Sequence, residues 1–475
     1  MRILRSRLSL ASVVLLPSQV RLHIAALLFA LLTVSATITA QTVTDLVTFD
    51  NTNFLGNPAT TPTQARDGNL YGTIYGSGYP GSVFEFSTAG ASKVIYALSD
   101  PLGYNPAASL TMGTDGNFYG ATQNGGSSSW GVLFRVTPGG TYTVLHNFTG
   151  GTDGGGPEAA PIQAADGNIY GVTFGGCCVA STVYKYTLRS AVFSTIYTYD
   201  NAHGMWATSL MQGSDANLYA TAEEGGINDN GTIIKLNTSG KLLSYYAFPG
   251  AKYGSIPLRS LVEAPDGNYY GTTEMGGAGP GYGTIFRMTP TGGVRVIYTF
   301  CKQLGLCADG FEPSSLALAS DGNLYGTTAG GGADSFGTLF RITTSGTFTS
   351  LYSFGAAVGE TPTGLMQDTN GLLYGSAVYG STYGYGAIYS LDMGLGPFVT
   401  FVRPTGRVGQ TAQILGQGLT GTTSVTFNGV PATSFTVVGD TYMTAVVPSG
   451  AVTGPVVVTT PTGPLTSNVS FRISK

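Results

Sequence analysis

Six residues, Asp-Gly-Asn-Leu-Tyr-Gly, stand at Asp67–Gly72 and return unchanged at Asp321–Gly326. Variants begin at Asp115, Asp166, Asp215 and Asp266, and a worn copy, NGLLYG, begins at Asn370. Successive copies start 48, 51, 49, 51, 55 and 49 positions apart. A period near 50 is that of propeller blades, whereas coiled coils and short helical solenoids repeat at other lengths. One unit, Ser109 to Phe148, reads as four short strands: SLTMG, NFYGAT, VLFRVT and TYTVLHNF. Gly/Asp/Pro turns and one longer loop separate them, as in an antiparallel meander. The expected fold class is therefore all-β, with four-stranded antiparallel blades.

Composition agrees with short strands and tight turns. Glycine is 71 of 475 residues and charged residues are only 10%, against a usual ~25%. The 42% hydrophobic fraction, with 28 Tyr and 23 Phe, is enough to bury a large core and argues against disorder. In the repeated phrase the Asp carboxylate is expected to cap a hairpin turn. Gly and Asn are expected to tolerate positive φ there. The Tyr is expected on a buried strand, and the Gly after it should admit a neighbouring backbone. A calcium loop needs several alternating acids, and each copy has one.

The ends of the array predict how it closes. Residues 42–50, TVTDLVTFD, match the fourth strand of a unit, while the last unit leaves the pattern at Leu395 without one. The N-terminal segment should therefore complete the last blade, giving a seven-bladed β-propeller over 41–395 with no open sheet edge. The worn copy at Asn370 leaves six and eight blades compatible with the spacing. Before it, Arg2, Arg5, Arg7 and Arg21 precede an uncharged run from Ile24 to Ala40. This reads as a signal peptide over 1–40, because the run is short for a membrane span. No stable membrane span is expected after its removal. Loss of those four Arg, with no acid among them, takes the net charge from −4 to −8. An acidic, cation-poor surface argues against nucleic acid as a partner.

From Pro397 the Tyr-Gly pairs give way to Thr/Val alternation, which reads as a small β-sandwich over 396–475. Pro404, Gly406, ILGQGL from Ile414, VTFNGVPAT from Val425, VVPSG from Val446 and the closing NVSFRI resemble the IPT/TIG immunoglobulin-like family. That resemblance implies a spacing, binding or adhesion module without catalytic residues. The Asp-Gly-Asn-aromatic-Tyr-Gly phrase, Gly276–Gly277 and the GTLFRIT strand from Gly337 resemble the GloVer (Gloeo-Verruco) repeat of bacterial exported proteins. This second resemblance covers about 42–394 and implies a sequence pattern, not an activity.

Strand order separates two faces. The Asp-Gly-Asn turns lie on one, and the variable loops, where binding groups usually sit, on the other. The position four after each repeat Tyr reads Tyr75, Gln123, Phe174, Glu223, Glu274, Ala329 and Val378. Glu223, Glu224, Glu274 and Gln123, with His203 and Trp206 from nearby loops, are the candidate ligand-binding residues. Paired carboxylates there suit acid/base work or sugar binding; solvated loop acids are the plain alternative. No metal motif, nucleophile elbow or phosphate loop is present, so no cofactor, metal or catalytic residue is assigned. Cys301 with Cys307, and Cys177 with Cys178, are disulfide candidates in an exported chain. The expectation is a non-enzymatic binding or scaffold protein, extracellular, at the cell surface or periplasmic, with glycan or surface protein as partner. A polysaccharide hydrolase or lyase using Glu223 and Glu274, and a purely structural envelope protein, are the rivals.

Overall fold

Strand formation follows the repeat. In the computed structural model, which describes residues 43–474 except 51–55, 59, 77–79, 177–178, 260, 278, 280 and 303–306, each Tyr-Gly segment is the second strand of a four-stranded antiparallel sheet. Leu70–Ile74, Phe118–Thr122 and Tyr269–Thr273 are buried along their whole length. Fourth strands such as Leu242–Ala247 are partly exposed and lie outermost. Among the described residues seven sheets have this order, and the described residues contain no α-helix. The signal-peptide reading and Cys177–Cys178 lie outside the described residues.

The last of these sheets borrows its outer strand. Val43–Thr48 pairs antiparallel with Ala387–Leu391, from Val43 opposite Leu391 to Thr48 opposite Ala387. Val47 and Phe49 are buried, and the Phe49 ring meets the Phe84 ring edge-on at 5.7 Å. First and last blades also meet through Gln64, whose Nε2 donates to Thr369 Oγ1 at 2.6 Å.

The repeated phrase is a turn with a built-in clamp. Ala65 O accepts from Gly68 N, Ala65 N donates to Asn69 O, and Gly68 has φ +84°. This is a three-residue hairpin loop with one left-handed glycine. The Asp67 carboxylate accepts from Asn69 N at 3.0 Å and from the Tyr71 hydroxyl at 2.8 Å. The same Tyr-to-Asp bond recurs at Tyr119, Tyr170, Tyr219, Tyr270 and Tyr325. Left-handed φ falls on the Gly and not on the Asn, and in the fourth copy Ala216 carries it, with φ +63°.

The glycine after each Tyr has a different cause from the one expected. A Cβ on Gly326 would lie 2.6 Å from Cζ of Phe340, the residue opposite it on the third strand; at Gly72 it would lie 2.8 Å from the Phe84 ring. What comes close is thus an aromatic ring, not a backbone. Gly120, Gly171, Gly271 and Gly375 likewise face Phe134, Tyr184, Phe286 and Tyr389. The fourth blade has Ala220 at this position, and there the facing residue is Ile234.

A clasp joins neighbouring blades three residues before the repeat position. Gln163 Oε1 accepts from Thr114 N, Gln212 Oε1 from Ala165 N, and Gln367 Oε1 from Ser320 N, at 2.7–2.8 Å. Glu263 accepts from Ser214 N in the same way. The three amides also donate to their own turns, at Gly167, Ala216 and Gly371. Each side chain therefore satisfies two backbone groups that the short first strands leave unpaired.

The C-terminal residues form two four-stranded sheets over a shared core. Strands Thr400–Phe401, Thr411–Leu415, Tyr442–Val446 and Phe435–Val437 make one, and Val430–Pro431, Ser424–Phe427, Val456–Thr460 and Gly463–Thr466 the other. Ile414, Phe427, Met443, Val458 and Phe471 are buried between them. This sandwich rests on the Asp-Gly-Asn turns. Arg66 lies 4.8 Å from the Tyr442 ring centroid and donates to Gln413 Oε1, while Thr441 Oγ1 donates to Arg66 O. Arg403 donates to Ala165 O, Gln417 to Thr369 Oγ1, and Arg472 lies 3.8 Å from Glu263. Leu415 and Tyr442 join a buried cluster with Leu110 and Met112. Asp368 is enclosed at this junction, and burial pushes its pKa up to about 6 against the pull of Asn370 N–H and Gln417.

Candidate functional site

The seven first strands converge on one cavity of about 250 Å³. Thr60, Ala108, Ala159, Ser209, Arg259, Ser315 and Thr363, one from each blade, contribute to its wall. Most of the lining is small or hydroxylated, with Glu158 and Arg259 as its charged members. Both precede short first strands, Ile162–Gln163 and Val262–Glu263, and so lie toward the loop face. The opposite, turn-bearing face is where the sandwich packs.

Each first strand is reached through a left-handed residue. Asn57, Asn105, Gly156, Trp206, Ile256, Glu312 and Thr361 all have φ between +53° and +59°. Asn and Gly accept this readily; β-branched Ile and Thr do not. Six of these residues donate their N–H to a carbonyl of the preceding blade, as Ile256 does to Asn230 and Glu312 to Tyr282. Their own carbonyls are used too: Gln123 N donates to Asn105 O, Phe174 N to Gly156 O, and Glu274 N to Ile256 O. The lead-in residue of one strand thus fixes the position four after the repeat Tyr, where Gln123, Phe174 and Glu274 sit. Strain of this kind is concentrated where a surrounding structure over-determines it, often at functional sites.

The side chains brought together are Gln123, Glu158, Glu223, Arg259, Glu274 and Glu312. Gln123 Nε2 donates to Glu158 Oε1 at 2.6 Å. Glu223 is pushed up to about 7, by burial first and then by Glu158, Glu274 and Glu224, with Arg259 pulling the other way. Burial also raises Glu158 and Glu274, and Glu312 adds repulsion at Glu274. Desolvation lowers the Arg259 pKa despite the attraction of Glu274, Glu158 and Glu223. The Arg259 side chain is exposed and contributes to the lining of the open cavity.

The other expected residues are distributed differently. Trp206 stacks on Phe174, with centroids 5.7 Å apart and planes at 16°. The pairing of Met205 with Glu224 and Ala207 with Ala222 sets Trp206 alongside Glu223. Glu224 is raised by slight burial and by Asp229. His203 bonds Asp200 at 2.7 Å and meets the Tyr245 ring of the outermost strand, so it is not brought to the cavity. Cys301 and Cys307 are bonded to one another. Sequence reasoning passed over Glu158, Arg259 and Glu312. Only Arg259 carried a signal: three positions after the left-handed lead-in residue, the other repeats place the small residues Thr60, Ala108, Ala159, Ser209, Ser315 and Gly364. Among the described residues no group of His, Cys, Asp or Glu is arranged to hold a metal ion, and no helix is long and apolar enough to cross a membrane.

The sequence signature of the Gloeobacter/Verrucomicrobia repeat matches residues 32–181 and 160–389. No curated protein matches the chain. Similar solved structures include a fungal alcohol oxidase of the AA5 family, at 15% identity and a TM-score of 0.49 over 91% of this chain and 99% of that one. An oligogalacturonate lyase from Vibrio parahaemolyticus is similar at 12% identity and a TM-score of 0.48, over 74% of this chain and 97% of that one. The periplasmic gluconolactonase of Pseudomonas aeruginosa is similar at 17% identity and a TM-score of 0.46, over 69% and 96%. At these identities and scores nothing about activity passes to this chain.

Proposed function

The chain belongs to the Gloeobacter/Verrucomicrobia repeat family, and on that premise we propose that it is an exported, non-enzymatic binding protein. In this reading residues 1–40 are a signal peptide, 41–395 a seven-bladed β-propeller, and 396–475 an IPT/TIG-type immunoglobulin-like domain. The propeller presents its loop face to an extracellular glycan or surface protein, and the sandwich seats it from behind. One observation carries the reading: the first strands of all the blades meet at a cavity holding Glu158 and Arg259, with Glu223 and Glu274 close enough to interact electrostatically. Polar side chains gathered at a concave centre, with a stacked aromatic pair beside them, suit a hydroxylated ligand. Glu223, held near pKa 7, favours the second reading, a polysaccharide hydrolase or lyase, because a carboxyl titrating there can both donate and accept a proton.

A glycan array with the wild type, Glu223→Gln and Glu274→Gln separates these readings. The expected result is wild-type binding, about tenfold weaker binding by each variant, as loss of a charge-assisted hydrogen bond costs roughly 1.5–3 kcal/mol, and no product from any of the three. Turnover by the wild type that vanishes in Glu223→Gln would establish the enzyme. Binding to nothing would leave the structural envelope protein.

A further inference from the structure

Six blades end alike and one does not. Leu46, Ile95, Leu145, Ile196, Ile297 and Leu351 each stand in a β-bulge near the loop end of a fourth strand. The bulge turns two successive side chains toward the next blade. Ile297 and Tyr298 both pack in the cluster shared with the sixth blade, as Ile196 and Tyr197 do with the fourth. The same position of the fourth blade holds Tyr245. A phenol ring overfills a slot shaped for Ile or Leu. Here the ladder runs unbroken through Tyr246, Tyr245 and Ser244, and the bulge falls at Leu243 instead. Tyr246 packs toward the fifth blade, while Tyr245 is 50% and Leu243 45% exposed. The turn of the fifth blade loses its seat as well. A Cβ on Gly90, Gly140, Gly240 or Gly346 would lie 1.9–3.0 Å from the carbonyl oxygen of Leu46, Ile95, Ile196 or Ile297, whereas one on Gly292 would meet no atom within 4 Å. A small cleft remains there, lined by Ser244, Tyr245, Pro290 and Gly292.

The outer edge of the fourth blade is therefore unlike the other six. Leu243, Ser244 and Tyr245 are exposed in succession and uncharged, and no other fourth strand has three exposed residues in a row. Asp45, Lys93 and Arg295 put charge on the outer strands of the seventh, first and fifth blades, which blunts an edge against pairing. The edge Leu242–Ala247 is also complementary to itself. Antiparallel pairing about a two-fold axis at Ser244 sets Leu243 opposite Tyr245 of a second copy, on either side of a Ser–Ser pair. Aromatic, aliphatic and hydroxyl pairs of this kind stabilise a ladder. The same register brings the exposed Lys241 opposite Ala247 of the other copy. Ala247 is covered by the loop that bears Glu224 and Asp229: a Cβ on Gly226 of that loop would lie 2.9 Å from the Ala247 Cβ. A cation of each copy thus comes beside the acids of the other, twice over. We propose that two copies of this chain join edge to edge through Leu242–Ala247, making one eight-stranded sheet of their fourth blades. The loop ends of the two strands then point in opposite directions, so the pair presents two separate loop faces whatever those faces bind.

The test is sedimentation velocity of the full chain from about 1 to about 100 µM, a range that spans micromolar association. The wild type is expected to pass from monomer to dimer. Ser244→Lys sets two ammonium groups face to face at the axis, and Tyr245→Ile restores the residue type of the other blades. Each should weaken association at least about tenfold, with the melting temperature confirming a folded variant. Lys241→Glu places like charges together at the strand ends and should weaken it by about threefold or more. A wild type that stays monomeric throughout would overturn the inference. Association undiminished in any of the three variants would overturn it too, since the contact would then lie elsewhere or run in another register.

Discussion

A chain that begins at Asn51 instead of Gln41 is expected to lose at least about 5 kcal/mol of stability and to aggregate on standing. The segment removed includes Val43–Thr48, the outer strand against Ala387–Leu391. Burial of Val47 and Phe49 contributes about 1.5–3 kcal/mol for each side chain, and each ladder hydrogen bond adds about 0.5–1.5 kcal/mol. That loss rivals the whole net stability of a typical domain, about 5–15 kcal/mol. It also uncovers a strand edge able to pair with another chain. Denaturant melts of the two truncated chains, with light scattering, check this. Coincident midpoints would mean that the N-terminal strand does not close the ring.

The second large effect concerns the glycine and ring that face each other in each blade. Gly326→Ala is expected to destabilise by about 1–3 kcal/mol or more, because the added methyl overpacks a full core and Phe340 is held by Phe300 and Phe348. Gly326 has no left-handed φ, so the penalty is steric and not conformational. Phe340→Ile alone should also destabilise, by leaving space unfilled. Combined, the two substitutions recreate the Ala220–Ile234 pair of the fourth blade. The double variant should therefore be more stable than the sum of the single effects, by about 1 kcal/mol or more. Strict additivity would show that the fourth blade's exchange of Gly for Ala and ring for Ile is unrelated to this contact.

What could be read in the sequence was what repeats locally. The Asp-Gly-Asn turn, the buried Tyr strand and the order of the faces are set by residues within a few positions of one another, so seven copies announce them. The reason for the Gly after Tyr was misread, because its neighbour lies on the next strand and only the exception at Ala220 points to a ring. The Gln64, Gln163, Gln212 and Gln367 clasps went unseen, since their partners are backbone N–H groups of another blade, which carry no letter. Arg66 and Tyr442 are 376 positions apart, and no local pattern places the sandwich on the turns. Glu158 and Arg259 escaped because they precede two-residue strands, too short for any periodicity. Gln123, Glu223 and Glu274 could be grouped from the sequence because they occupy one repeat position, while His203, chosen only for being near in the chain, turns to Asp200 and Tyr245.

The account depends most on an enclosed, acid-rich centre in which Glu223 keeps its proton near neutrality. Carboxyl-selective labelling read by mass spectrometry across pH 4–9 reports that group directly. The midpoint at Glu223 is expected at about 7, and Arg259→Met should move it higher, since the guanidinium is the group holding it down. A midpoint in the ordinary glutamate range, unmoved by loss of Arg259, would place Glu223 in open solvent and contradict the site.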